Sequence, residues 1–296
     1  MKTLQDRSLH LVIVLGLFLV AAAPAAAQLQ VGFEAPDFAG SADGVSADGQ
    51  QGWYTPPIDS TQDHYVYTYA DNGLSLSTNA TGEDQFLGAQ VFVDGDLARA
   101  QLNFDWTAAS VWTVSYDFAA RYNGFLPASD NLGSFSLQSS VTDRYFIVLD
   151  TWVDTFTAVQ WNTGYLAFDA GGTMFIDPAV PGPEWQNLSV DHWYRQSTTF
   201  DLGSNSITSV SITDLDTGTM ATFQPTGWYL AGGASGGGLP PPRALRFFVG
   251  GDTFTLGNTI GWDNLLIEQG GGQGAPNQGE SRSAQSMKMK GGSITN

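Results

Sequence analysis

The sequence predicts an all-β chain folded as two antiparallel sheets packed face to face. Three observations carry this. Apolar and polar residues alternate with period two through most of residues 28–268, as a strand with one buried face requires. Asn72-Gly73, Asp94-Gly95, Asn123-Gly124 and Thr217-Gly218 interrupt the alternation with hairpin and turn chemistry. No segment of about 12 residues keeps a helical 3.6-residue period between caps.

Taken in order, the chain opens as a secretory leader. Lys2 and Arg7 form a basic start, Leu9 to Val20 an apolar run, and Ala25-Ala26-Ala27 a small-residue cleavage pattern. The predicted signal peptide is 1–27, with Gln28 the first mature residue. The apolar run is shorter than the ~20 residues of a spanning helix, so no membrane insertion is expected after cleavage. No Cys stands at the cleavage point for lipid attachment. The expected location is secreted, extracellular or periplasmic.

The strand runs follow. In "HYVYTYA", Tyr65, Tyr67 and Tyr69 share a face; in "QLNFDW", Leu102, Phe104 and Trp106 do. "VWTVSYDFAARY" sets Trp112, Val114, Tyr116 and Phe118 against Val111, Thr113, Ser115 and Asp117. "RYFIVLDTW", "TAVQWNT", "TSVSITDL", "ALRFFVG" and "IGWDNLLIE" continue the habit. About a dozen strands result, in one domain over 28–268. From Gln269 the chain is rich in Gly, Ser and Gln and poor in large apolar residues, so 269–296 is expected to be a disordered tail.

Charge narrows the partners. The net charge is −18, and Asp6 and Glu280 are the only acidic residues outside 28–268. That stretch holds no Lys. Such a surface repels phosphates, which argues against nucleic acid and anionic lipid. With no Cys, the domain must rest on its core alone.

Several segments carry a family likeness. "VGFEAPDF" opens the mature chain and "DGQQGWY" follows; later come "HWYRQSTTFDLGSNSITSVSITDLDTGT" and the closing "ALRFFVGGDTFTLGNTIGWDNLLIE". Their order resembles the concanavalin A-like, or laminin-G-like, jelly roll of secreted bacterial proteins. The resemblance implies a jelly-roll sandwich whose first and last strands lie side by side. It does not fix an activity, because that fold hosts lectins, binding modules, hydrolases, lyases and structural units.

No complete catalytic set is legible. The glutamates of 28–268 are Glu34, Glu83, Glu184 and Glu268, so the Glu-x-Asp-x-x-Glu string of the superfamily's hydrolases is missing. Asp214-Leu215-Asp216 reads as a hairpin tip before Thr217-Gly218. "DHWYR" (Asp191, His192, Tyr194, Arg195) is the one segment a lyase could use, and its adjacent residues alternate between faces. Nucleophile elbows and phosphate loops are absent from the sequence. By analogy with related jelly rolls, one structural calcium ion is expected where the terminal strands meet, held by Glu34 and Asp263.

Tryptophan is the remaining signal. The chain has nine, and Trp152, Trp161 and Trp185 neighbour Asp, Asn or Pro at expected strand ends and loops. Sugar rings stack on aromatic planes, so these three are the predicted ligand contacts. The expected function is a non-catalytic module binding a neutral glycan, a polysaccharide or a cell-surface glycan. The alternatives are a structural or adhesion domain without a small ligand, or a divergent polysaccharide lyase or glycosidase.

Overall fold

The computed structural model describes residues 27–57, 60–91, 96–106, 111–121, 131–139, 147–157, 159–190, 192–238, 241–250 and 257–270. The leader before Ala27 and the tail after Gly270 lie outside the described residues, as do the expected turns at Asp94-Gly95 and Asn123-Gly124.

The described residues form two antiparallel sheets. The nine-stranded sheet runs β15 (Met220–Phe223), β14 (Ser206–Asp214), β13 (Tyr194–Asp201), β7 (Val111–Arg121), β17 (Asn258–Gln269), β5 (Gln85–Val91), β4 (Tyr65–Thr68), β2 (Val45–Ser46), with β1 (Ala27–Val31) also on β17. The eight-stranded sheet runs β11 (Met174–Ala179), β10 (Gln160–Phe168), β9 (Ile147–Thr157), β8 (Asn131–Gln138), β16 (Ala244–Gly250), β6 (Leu97–Asn103), β3 (Trp53–Tyr54), with β12 (Leu188–Ser189) on β10. Neighbours distant in sequence, such as β16 between β6 and β8, are the crossovers of a jelly roll. First and last strands pair, Val31 with Leu265 and Ala27 with Glu268. Gln269, expected to head the tail, is still paired with Trp112.

Alternation places the core. Trp112, Val114, Tyr116 and Phe118 of β7 point inward with Ile260 and Trp262 of β17, against Phe135 and Leu137 of β8 and Leu245, Phe247 and Val249 of β16. Trp262 stacks on Phe247 at 4.7 Å and on Phe118 at 6.1 Å. Offset aromatic stacks of this kind bury large apolar areas with fixed geometry.

The outer face of the nine-stranded sheet carries a second, smaller cluster: Tyr67, Tyr69, Leu74, Leu76, Phe86, Ala119 and Trp193. Here the segment between β4 and β5 lies back across the sheet. It can do so because Gly88 and Gly261 face each other on β5 and β17. A Cβ at Gly88 would sit 2.6 Å from Leu74 Cδ1, and one at Gly261 would sit 2.7 Å from Leu76 Cδ1. Polar groups pin the segment. Trp193 Nε1 donates to Ser77 O at 2.7 Å, and Asn79 Nδ2 to Asp117 Oδ2 at 3.0 Å. Asp117 is fully buried and holds Arg195 through two bonds of 2.6 and 2.8 Å. A bidentate pair of this geometry offsets the desolvation of its carboxylate.

Candidate functional site: a polar sheet face

In β3, β6, β16, β8, β9 and β10 the residues between the core positions point away from the core. Register aligns them in one row across the sheet: Tyr54 opposite Gln101, Gln101 opposite Arg246, Arg246 opposite Ser136, Ser136 opposite Asp150. A neighbouring row holds Arg99, Phe248, Ser134 and Trp152. The floor is buried: Gln101 is 0% exposed, Gln138 1%, Asp150 2%, Ser136 3% and Arg246 5%. Tyr54, Trp152, Asn162 and Phe248 are partly exposed around it, and Asn103 is exposed.

The floor is internally bonded. Arg246 Nε donates to Gln101 Oε1 at 2.7 Å, Gln101 Nε2 donates to the Tyr54 hydroxyl, and that hydroxyl donates to Asn103 Oδ1 at 2.9 Å. Gln138 Nε2 donates to Ser136 Oγ at 2.6 Å, and the Arg99 guanidinium lies 5.1 Å from the Phe248 ring centre. Burial pushes the Tyr54 phenol above its ordinary value, against the opposing pull of Gln101 and Arg246. It therefore stays protonated at neutral pH. Buried atoms of this face with no hydrogen-bond partner among the described residues include the acceptor Gln138 Oε1 and the donor Trp152 Nε1. An unpaired buried polar atom costs about 1–3 kcal/mol, so such atoms mark places for a ligand or water.

The predicted aromatic contacts divide. Trp152 lies on this polar face. Trp161 and Trp185 do not: they are 0% and 1% exposed and belong to the core. Trp161 packs edge-on against Phe118 at 5.0 Å, and its Nε1 donates to Ser189 O at 2.9 Å. The strand period puts it with Thr163 and Tyr165 on the inward side, although its sequence neighbours are polar. A ring without an accessible face cannot stack on a sugar, so packing replaces the expected ligand contact at both positions.

The two residues expected to hold calcium are both engaged by hydrogen bonds within the chain. Glu34 Oε1 accepts the backbone N–H groups of Asp84 at 3.0 Å and Gln85 at 2.8 Å. Asp263 is fully buried, with Oδ2 accepting from the Tyr69 hydroxyl and Oδ1 from Asn264 N, both at 2.8 Å. Burial, with Glu83 and Asp117 nearby, holds the Asp263 carboxyl well above the usual carboxylate range. Among the described residues no group of three or more His, Cys, Asp or Glu has the arrangement to hold a metal ion.

The "DHWYR" segment separates as alternation requires, Trp193 and Arg195 lying on the outer face while Tyr194 between them joins the core. Asp191 lies outside the described residues. Asp214 and Asp216, read as hairpin-tip residues, do occupy a turn: Asp214 Oδ1 accepts the amides of Asp216 and Thr217, each at 3.0 Å. They also bracket His192, whose Nε2 is 3.0 Å from Asp214 Oδ1 and Nδ1 3.1 Å from Asp216 Oδ2. With both nitrogens occupied, this imidazole is a turn fastener.

The sequence reading missed Gln101, Ser136, Gln138, Asp150 and Arg246. The available signal was that the non-core positions of "LARAQLN", "LGSFSLQ" and "ALRFFVG" hold large amides and guanidinium groups on three strands that the topology makes neighbours.

No protein-family model matches the chain, and no curated protein matches it in sequence. Solved structures do match. A carbohydrate esterase from the Shiga toxin-encoding bacteriophage phi24B is 13% identical, covers 83% of this chain and 99% of its own, and has a TM-score of 0.49. The CBM2 module of the evolved Dit of Lactobacillus casei BL23 phage J-1 is 11% identical, with 75% and 91% covered and a TM-score of 0.43. Lectin II from Ulex europaeus is 11% identical, with 83% and 100% covered and a TM-score of 0.41.

Proposed function

We propose that the chain is a secreted or periplasmic, non-catalytic glycan-binding module whose site is the polar face of the eight-stranded sheet. The unpaired acceptor Gln138 Oε1 and the unpaired donor Trp152 Nε1 carry this reading. A sugar hydroxyl both accepts and donates, so one class of ligand satisfies both. Register sets Trp152 opposite Ser134, four residues along β8 from Gln138, a distance of about 14 Å at the usual strand rise. That span suits an oligosaccharide better than a single ring. The charge of −18 favours a neutral chain over a uronate or sulfated one. Tyr54 stays protonated at neutral pH and is thus a hydrogen-bond donor there.

Calorimetry of the mature protein against cello-, xylo-, manno- and laminarihexaose, with and without calcium, tests this. Affinity should grow with oligosaccharide length and ignore calcium. Trp152→Phe keeps the ring and removes the donor, and Gln138→Leu removes the acceptor; each should weaken binding about fivefold. Wild-type affinity in both variants would disprove the site, and turnover of any hexasaccharide would promote the enzyme reading. The near-complete burial of Gln101 favours one other reading, a structural module without a small ligand. Absence of binding across the panel would select it.

A further inference from the structure

On the opposite sheet, a cleft of about 290 Å³ opens at the β2–β4–β5 edge, lined by Asp43, Gln62, Asp63, Tyr65, Tyr67, Gly73, Leu74 and Gln90. Its walls are fixed by backbone bonds. Gly73 N donates to Ala42 O at 2.9 Å, and Ser41 bridges to both Val66 and Thr68. Gly44, with φ of +83°, lets the wall close on the tyrosines, since a Cβ there would sit 2.7 Å from the Tyr67 ring. The two rings lie 6.3 Å apart at 57°, with Tyr65 partly exposed and Tyr67 buried against Phe86. Asp63 is held by the Ser46 and Thr55 hydroxyls, both at 2.7 Å, and Gln90 by Thr259 at 2.8 Å. The Tyr65 and Tyr67 hydroxyls and the Asp43 carboxylate, by contrast, make no hydrogen bond to the described residues.

We propose that this cleft is a second saccharide site, taking a neutral pyranose whose ring packs on Tyr65 and whose hydroxyls bond Asp43 and the two phenols. Aromatic planes beside uncommitted acceptors and donors are the complement of a sugar ring, which has apolar CH faces and polar edges. The cleft volume admits one or two rings. Asp43 and Asp63 exclude carboxylated or sulfated sugars. Burial, with Tyr65 and Asp43 adjacent, pushes the Tyr67 phenol up to about 12, so it remains a donor at every physiological pH. This site shares no residue with the polar face and stands whether or not that face binds glycan. If both bind, the module has sites on opposite sheets and can bridge two polysaccharide chains, gaining avidity without new contacts.

The test uses the mature protein carrying Trp152→Phe and Gln138→Leu, with the same four hexasaccharides and their monosaccharides as probes. Tyrosine ring resonances should shift at Tyr65 and Tyr67 on titration with at least one probe. Tyr65→Ala should weaken that binding roughly tenfold, and Asp43→Asn, which leaves the aromatic wall intact, about fivefold. Asp43→Asn guards against Tyr65→Ala acting through misfolding. Absence of shifts at both tyrosines up to millimolar probe would overturn the proposal. So would a Tyr67 shift that persists undiminished in both Asp43→Asn and Tyr65→Ala. Loss of binding at the polar face alone leaves these tyrosine shifts in place, so the two sites fail separately.

Discussion

His64 is fully buried just before β4, and burial lowers its pKa from the ordinary 6.5 to about 3 despite the neighbouring Asp63. The folded state therefore keeps the ring neutral where the unfolded chain takes up a proton. Stability from this group is complete above pH 6.5 and is lost as pH falls from there toward 3. Between pH 7 and 5 the loss is about 2 kcal/mol at roughly 1.4 kcal/mol per unit. His64→Leu removes the titrating group and keeps the site filled. Urea unfolding at both pH values should show the wild type losing about 2 kcal/mol more than this variant; equal losses would mean the ring is protonated in the fold. Nothing in "DHYVY" announces this burial. Trp161 gives the same lesson: polar neighbours at Gln160 and Asn162 suggested exposure, and only its place on an interior strand of the sheet decides its side.

At the scale of the element, alternation was readable wherever one face of a strand meets the core. The "VWTVSYDFAARY" run became β7 with the inward set expected for it, and "IGWDNLLIE" became most of β17. What the period could not tell was that an outer face would itself be covered. Tyr65, Tyr67 and Tyr69 share a face as expected, but Tyr67 and Tyr69 belong to a cluster beneath the β4–β5 segment. That arrangement depends on the Gly88–Gly261 pair, distant in sequence and joined only by register. Gly261→Ala should therefore push against Leu76 and Trp193 and destabilise the domain by about 1–3 kcal/mol. Adding Leu76→Ala should recover part of the loss, which thermal melting of the single and double variants measures. A Gly261→Ala protein melting like the wild type would show that the segment moves aside at no cost.

For the whole molecule, the sandwich was legible because hydrophobic period and turn chemistry are local, while the first-to-last strand pairing was what the family resemblance implied. The polar face was not legible, because its row draws Tyr54, Gln101, Ser136, Asp150 and Arg246 from five separated strands that only topology brings together. The partners of the two expected calcium ligands were illegible for a related reason: Glu34 and Asp263 accept N–H and O–H groups from segments distant in sequence or set by local turn geometry. This bears on how the charge of −18 acts. Mutual repulsion among dispersed carboxylates opposes the compact state, and salt screens it, with a Debye length of about 10 Å at 0.1 M. The buried Asp117–Arg195 pair works at contact distance and is screened much less. Raising NaCl from about 10 mM to 0.3 M, where screening becomes short-ranged, should therefore raise Tm. Calcium and magnesium chlorides at matched ionic strength should raise it equally. Glu34 Oε1 accepts two amides, and Asp263 a phenol and an amide, so an ion there would share or displace those bonds. A calcium-specific rise that saturates, is lost to chelator and disappears in Asp263→Ala would show that those bonds do yield to the ion. Tm that falls with salt would mean that attractive ion pairs, rather than the excess of negative charge, dominate the surface.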